Sequence, residues 1–316
     1  MGTGGVGGYF GGLLARAGHE VKFVARGAHL DAINASGLHI ESSNKGDFTV
    51  QCEATQAPNS SDIPELILFS VKMFQNEDAM DVIEPSVGPN TIILSIQNGI
   101  DNGEILSKRF SYENVMIGSA FVEGRIKCPG TVTQGGPGIA AFGEQFIGLS
   151  DRANMLNEIF KDAAWDVELH ENMEGVLWKK FAYLVASASI CSASHSDYGT
   201  MRSNPETRTL IIQGISEVLN VGKALGKPIM EDSVQWAENS LDRFPATGKA
   251  SMAKDFLEGK PVELEGLTGR VVALGSELGV PTPVCSTLYA ILKPWAVQNS
   301  LCKCWKMIDI NAPKRR

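Results

Sequence analysis

Short apolar runs alternate with amphipathic stretches through the first half of the chain, and the period of the pattern changes near residue 172. Residues 21–25, 66–71 and 92–96 are mostly apolar and of strand length, which reads as strands of a parallel sheet covered on both faces. Residues 11–17, 74–83 and 103–110 are helical in period and follow glycine or strand signals, a βαβ rhythm. Residues 112–148 are punctuated by Gly118, Gly124, Gly130, Gly135 and Gly136 and read as short strands extending the sheet. A helix over 151–164 and a strand over 167–170 close this half. Beyond Met173, apolar residues recur at helical spacing, as in Ile211, Ile215, Val218 and Leu225, and again in Leu264, Leu267, Val271, Leu274 and Leu278. The expected fold is α/β: a Rossmann-type, doubly wound parallel sheet over 1–172, an all-α helical domain over 173–295, and a polar tail over 296–316.

Composition narrows the class without changing that outline. The 316 residues exceed one typical domain, and 43% hydrophobic with 20% charged residues is ordinary for a globular protein. Apolar runs such as 66–71 fall far short of the roughly 18 residues needed to cross a bilayer, so a cytoplasmic protein without a membrane partner is expected. A net charge of −8 argues against nucleic acid, the only basic cluster being Lys314, Arg315 and Arg316. The six cysteines carry no metal-type CxxC pair; Cys302 and Cys304 form a lone CxC, read as incidental rather than as metal ligands, and no metal is expected.

The most informative segment lies at the start. Gly2, Gly4 and Gly7 form G-x-G-x-x-G, so that Gly2, Thr3, Gly4, Gly5, Val6 and Gly7 are candidate cofactor-binding residues. The first glycine suits a tight turn, the second a close pyrophosphate, the third helix packing, and the helix N-terminus offers N–H groups to phosphate. Such a fold needs a strand running into the loop, yet only Met1 precedes Gly2. The first strand is therefore expected to be truncated, with the natural chain beginning upstream or its start codon misassigned.

Where an NAD enzyme places an acidic residue for the ribose 2′-hydroxyl, this chain has Arg26. A guanidinium there suits the 2′-phosphate of NADP, although an exposed loop arginine has the same sequence signature. Lys72 and Asn98 each stand just beyond a buried strand, on the edge that faces ligand in open α/β sheets. Lys72 is a candidate for cofactor phosphate or ribose, and Asn98 for nicotinamide ribose or substrate. Reduction of a ketone also needs a proton donor. On a helix over 175–190, Leu177, Phe181, Leu184 and Ala188 form a stripe that Lys180 flanks while Lys179 points away. Burial would lower the amine's pKa toward neutrality, whereas a snorkelling surface lysine is the plainer alternative. Glu263 is read as opening the helix that begins with Leu264, either for the dipole's sake or as a partner to Lys180.

Together these pieces resemble the ketopantoate reductase (2-dehydropantoate 2-reductase) family. Gly2 to Gly7, Arg26, Val71-Lys72, Gln97-Asn98-Gly99, Trp178-Lys179-Lys180-Phe181, Ser251-Met252, Glu263 and Gly279-Val280-Pro281-Thr282-Pro283 carry the likeness, over residues 2–293. The resemblance implies Lys180 as general acid, Glu263 as its catalytic partner, Ser251 as a substrate contact, and NADPH bound by the loop, Arg26, Lys72, Asn98 and Gly124. It implies reduction of 2-dehydropantoate to (R)-pantoate on the way to pantothenate and coenzyme A, a small-molecule 2-oxo acid as partner, and leaves a homodimer open. The chain departs from the family at the substrate positions Leu184 and Ala188, where asparagines are usual. Two lost hydrogen bonds cost roughly 1–3 kcal/mol each. A reductase of a more apolar 2-oxo acid or ketone, and a non-catalytic NADP(H)-binding regulator, are the competing readings.

Overall fold

The computed structural model describes residues 1–306, with side chains to residue 301. Backbone contacts divide the chain into two compact units, Met1–Leu177 and Trp178–Arg316.

In the first unit the elements are α1 (Gly5–Arg16), β1 (Lys22–Val24), α2 (Gly27–Ser36), β2 (Leu38–Ser42), β3 (Phe48–Val50), β4 (Glu53–Thr55), β5 (Leu66–Phe69), α3 (Asn76–Ile83), β6 (Ile92–Ser95), α4 (Asn102–Phe110), β7 (Val115–Cys128), β8 (Thr131–Gly143), α5 (Asp151–Asp162) and β9 (Asp166–Leu169). The helix after the glycines begins at Gly5, earlier than its apolar period suggests, because a turn of small residues carries no hydrophobic signal. The main sheet runs β3-β2-β8-β7-β6-β5, with β9 on β8. It is mixed rather than parallel throughout: β5, β6 and β7 are parallel, but β7 and β8 form an antiparallel hairpin. The short strands expected over 112–148 are thus two long ones, of 14 and 13 residues, parted at Gly130; Gly118 and Gly124 pair in register within β7, while Gly135 and Gly136 lie at a register shift in β8.

The strand expected over 21–25 forms as β1 but lies off the main sheet, paired in parallel only with β4. Residues 1–3 run alongside its end: Thr3 N–H donates to the Val24 carbonyl (3.0 Å), and Ser70 N–H donates to the Met1 carbonyl (3.1 Å). β6 is buried at every position, as a strand covered on both faces should be, whereas β5, at the end of the sheet path, alternates buried and half-buried. The core packs α1 and α5 onto the sheet. Trp165 stacks on Phe160 (4.1 Å) and meets Phe10 (4.5 Å), while its indole N–H donates to the Phe10 carbonyl (3.1 Å). A large apolar side chain buried in this way contributes about 1.5–3 kcal/mol.

α6 (Met173–Ser194) starts in the first unit, where Met173 and Leu177 pack on Ile117 and Ala141. The second unit is helical, with α7 (Tyr198–Ser203), α8 (Pro205–Ala224), α9 (Ser233–Arg243), α10 (Ser251–Leu257), α11 (Arg270–Leu278) and α12 (Pro283–Lys306). Asp197 and Asn204 cap α7 and α8 through their side chains, and left-handed Gly279 ends α11. The buried Glu217 carboxylate on α8 accepts the Val284 and Cys285 N–H groups (2.8 and 2.9 Å), satisfying the first turn of α12. α12 runs into the stretch expected as a polar tail over 296–316, continuing to Lys306. Residues 307–316 lie outside the described residues, as do the side chains of Cys302 and Cys304. No helix among the described residues is long and apolar enough to cross a membrane.

Candidate functional site

The C-terminal edge of β1, β5 and β6 is joined by one line of hydrogen bonds that passes through the glycine loop. Val24 at the end of β1 accepts from Thr3 through both N–H and Oγ1 (3.0 Å each). Ser70, just after β5, donates its hydroxyl to the carbonyls of Met1 and Gly2 (3.1 Å each). Gln97 donates from Nε2 to the Val71 carbonyl (2.7 Å). Arg26, the glycine loop, Lys72 and Asn98 therefore line one lip of the first unit, Arg26, Lys72 and Asn98 each just after a strand.

Gly2 has φ +90°, and a Cβ there would sit 2.7 Å from Val71 Cγ1, so this turn excludes other residues sterically and conformationally. At Gly5 a Cβ would lie 1.9 Å from the Gly124 carbonyl carbon. Gly124 is thus placed against the loop by backbone-to-backbone packing between α1 and β7. At Gly4 a Cβ would meet nothing within 4 Å. The first helical bond of α1 runs from Gly8 N–H to Gly4 O (2.8 Å), so the N–H groups of Gly5, Val6 and Gly7 precede the ladder, and no acidic side chain occupies the first turn. Open space beside Gly4, N–H groups that precede the helical ladder and the positive end of the dipole fit a phosphate group. Arg26 is exposed in extended backbone directly before α2. Lys72 is half-buried before the turn Met73–Gln75, and Asn98 is half-buried two residues past the buried Ile96. Close by, Ser95, Gly99, Asn102, Gly103, Ile117, Gly118 and Leu177 line a small cavity of about 180 Å³, part of it open to solvent.

The second unit holds Lys180 on α6 and Glu263, which are 8% and 7% exposed. Burial lowers the Lys180 amine from its usual value to about 7, and the Glu263 charge opposes that shift without cancelling it. Glu263 does not open a regular helix as expected: it precedes a π-helical turn, Glu265–Gly269, in which Gly269 N–H reaches back to Leu264 O (2.9 Å), before α11 begins. Such turns displace a side chain from the helical repeat and recur at functional sites. Thr268 in the turn shares a 2.5 Å hydrogen bond with Ser189 on α6, docking the Glu263 segment on the helix that carries Lys180. Lys179 is also buried, its ammonium paired with Asp232 (2.7 Å). Leu184 is half-buried and Ala188 wholly buried, one and two turns on from Lys180; Ser251 is exposed as the first residue of α10.

Sequence reasoning missed Ser95, Asn76 and Asn102, and noticed Gln97 only as part of a likeness. Asparagine at a helix start reads as a cap. Here neither Asn76 nor Asn102 caps its helix, and the two amides bond each other (3.0 Å).

Residues 1–145 match the family described as ketopantoate reductase PanE/ApbA, and residues 172–296 its C-terminal domain. A 2-dehydropantoate 2-reductase of Pyrococcus horikoshii is 27% identical over 298 residues, covering 93% of this chain and 95% of its own length. The crystal structure of a PanE/ApbA family ketopantoate reductase from Ralstonia eutropha JMP134 superposes with a TM-score of 0.87 at 29% identity, covering 95% of this chain and 98% of that one. A ternary structure of D-mandelate dehydrogenase with NADH and anilino(oxo)acetate shares the fold, with a TM-score of 0.87 at 20% identity over 95% of this chain and 97% of that one.

Proposed function

The chain belongs to the ketopantoate reductase PanE/ApbA family, oxidoreductases acting on CH–OH and C=O groups, and on that premise we propose that it reduces a 2-oxo acid with NADPH. The substrate is 2-dehydropantoate, the product (R)-pantoate on the route to pantothenate and coenzyme A, and Lys180 is the general acid. The observation that carries this reading is a buried amine lowered to about 7 beside a buried carboxylate, both within the matched family region. An acid with a pKa near working pH is both protonated and willing to release its proton.

Bound at the lip, the cofactor would supply the hydride. The N–H groups of Gly5, Val6 and Gly7 hold its pyrophosphate, with Gly2, Thr3 and Gly4 shaping the loop and Gly124 supporting it from β7. Arg26 pairs with the 2′-phosphate and so favours NADPH over NADH. Lys72 and Asn98 hold the remaining polar groups, Asn98 extending to substrate as well. Lys180 protonates the oxygen that becomes the product hydroxyl, Glu263 orients the ammonium, and Ser251 contacts the substrate. A nicotinamide cofactor is also what the D-mandelate dehydrogenase of the same fold carries.

A second reading is favoured by Leu184 and Ala188, which offer apolar surface where the family offers amides. In that case the substrate is a more apolar 2-oxo acid or ketone. Steady-state NADPH oxidation with a panel of 2-oxo acids decides between them. Ketopantoate is expected to give the highest kcat/KM. If it ranks among the poorest substrates while an aliphatic or aryl 2-oxo acid turns over, the second reading replaces the first.

A further inference from the structure

Four buried polar side chains form a directed chain beneath the lip. Ser95 Oγ donates to Gln97 Oε1 (3.0 Å), Gln97 Nε2 donates to Asn76 Oδ1 (2.8 Å) as well as to the Val71 carbonyl, Asn76 Nδ2 donates to Asn102 Oδ1 (3.0 Å), and Asn102 Nδ2 donates to the Asn98 carbonyl (2.7 Å). Ser95, Gln97, Asn76 and Asn102 are each 5% exposed or less.

The two ends of the chain dictate its polarity. Backbone carbonyls only accept, so Asn102 must turn its nitrogen to Asn98 and its oxygen to Asn76. Asn76 must then present nitrogen there and oxygen to Gln97, whose nitrogen serves Asn76 and Val71 together. Reversing any one amide sets oxygen against oxygen and nitrogen against nitrogen in a buried site, so a single arrangement is favoured. The held carbonyls are those of Val71, which leads directly into Lys72, and of Asn98 itself. These are the two turns that present Lys72 and Asn98, 26 residues apart in sequence.

A second buried amide shows what such a network does where no ligand group is at hand. Asn114 donates to the carbonyls of Thr91 (2.8 Å) and Gly88 (3.2 Å) and accepts from Ser111 Oγ (2.9 Å), bracing the opposite, N-terminal ends of β6 and β7. Ligands bind open α/β sheets at the other edge.

We propose that Gln97, Asn76 and Asn102, with Ser95 behind them, are positioning residues that clamp the Lys72 and Asn98 turns in the conformation that receives a nicotinamide dinucleotide. The inference rests on the cofactor reading above. It is tested by titrating the full chain with NADPH and following the nucleotide's fluorescence, with thermal melting of each variant measured separately. Gln97→Met and Asn102→Leu keep volume but break the clamp, and each is expected to raise the NADPH Kd about tenfold or more. Ser95→Ala removes only the outermost bond and is expected to raise Kd about threefold in a protein that still folds. Asn114→Leu should lower Tm at least as much and leave Kd within twofold. Unchanged Kd in Ser95→Ala and in whichever lip variants fold, or an equal rise in Asn114→Leu, overturns the clamp while the cofactor reading stands. A wild-type protein that binds neither NADPH nor NADH saturably overturns both.

Discussion

At the lip of the first unit the candidate groups are backbone N–H groups, the Asn98 amide, half-buried Lys72 and one exposed arginine, whereas in the second unit they are the ends of two ionisable side chains, Lys180 and Glu263, held almost wholly out of water. The backbone groups need only a turn that keeps them unbonded, and glycine supplies it. The ionisable pair costs desolvation, and the lysine answers by titrating near neutrality. Recognition at the lip should therefore respond to shape and to the charge of Arg26, and chemistry in the helical unit should respond to pH.

The largest effect expected is on the buried pair. Lys180→Ala should reduce kcat by about 10²- to 10⁴-fold, the usual contribution of a general acid, with NADPH Kd little changed. Because the amine must be protonated to act, the wild-type kcat should fall as pH rises through about 7. The Glu263 charge raises the amine's pKa, so Glu263→Gln should move that fall to lower pH. A kcat that is flat from pH 6 to 9 would remove Lys180 from the acid's role.

Next in size is the charge at the lip. Arg26→Ala should shrink the preference for NADPH over NADH by about 10- to 150-fold, the range for one hydrogen-bonded charge contact, without moving the pH profile. Equal kcat/KM ratios for the two nucleotides before and after substitution would mean that Arg26 is a solvent-facing loop residue. The smallest effects separate two adjacent glycines. Gly4→Ala places its methyl in open space, so Tm should hold while NADPH affinity drops roughly fivefold. Gly5→Ala drives a methyl into the Gly124 backbone, so melting should reveal a loss of about 1–3 kcal/mol or more. If both variants behave alike, the loop is a packed turn and not a phosphate cradle.

Much of the fold was legible because it depends on local pattern. The apolar runs around β5 and β6, the helical stripes of the second unit and the glycine turn each follow from the residues within one element. The family likeness drew on the same local features, strung along the chain in order. Less could be read where polarity within a strand or at a helix start had more than one meaning. The glycines over 112–148 looked like punctuation between short strands, and Asn76 and Asn102, each the first residue of its helix, carried no signal of their partners.

By itself, then, the sequence determined the strands around β5 and β6, the helical stripes of the second unit, the glycine turn before α1, and that Lys180 and Leu184 share one side of α6, since these are matters of period and backbone freedom. Only the tertiary structure decided that Gly124 meets Gly5, that the sheet is mixed, that Glu263 stands before a π turn, and that three amides join the turns of Lys72 and Asn98. The reason is physical. Each of those facts is a contact between residues far apart in the chain, and whether a polar group is buried, paired or shifted in pKa depends on neighbours that no local pattern names.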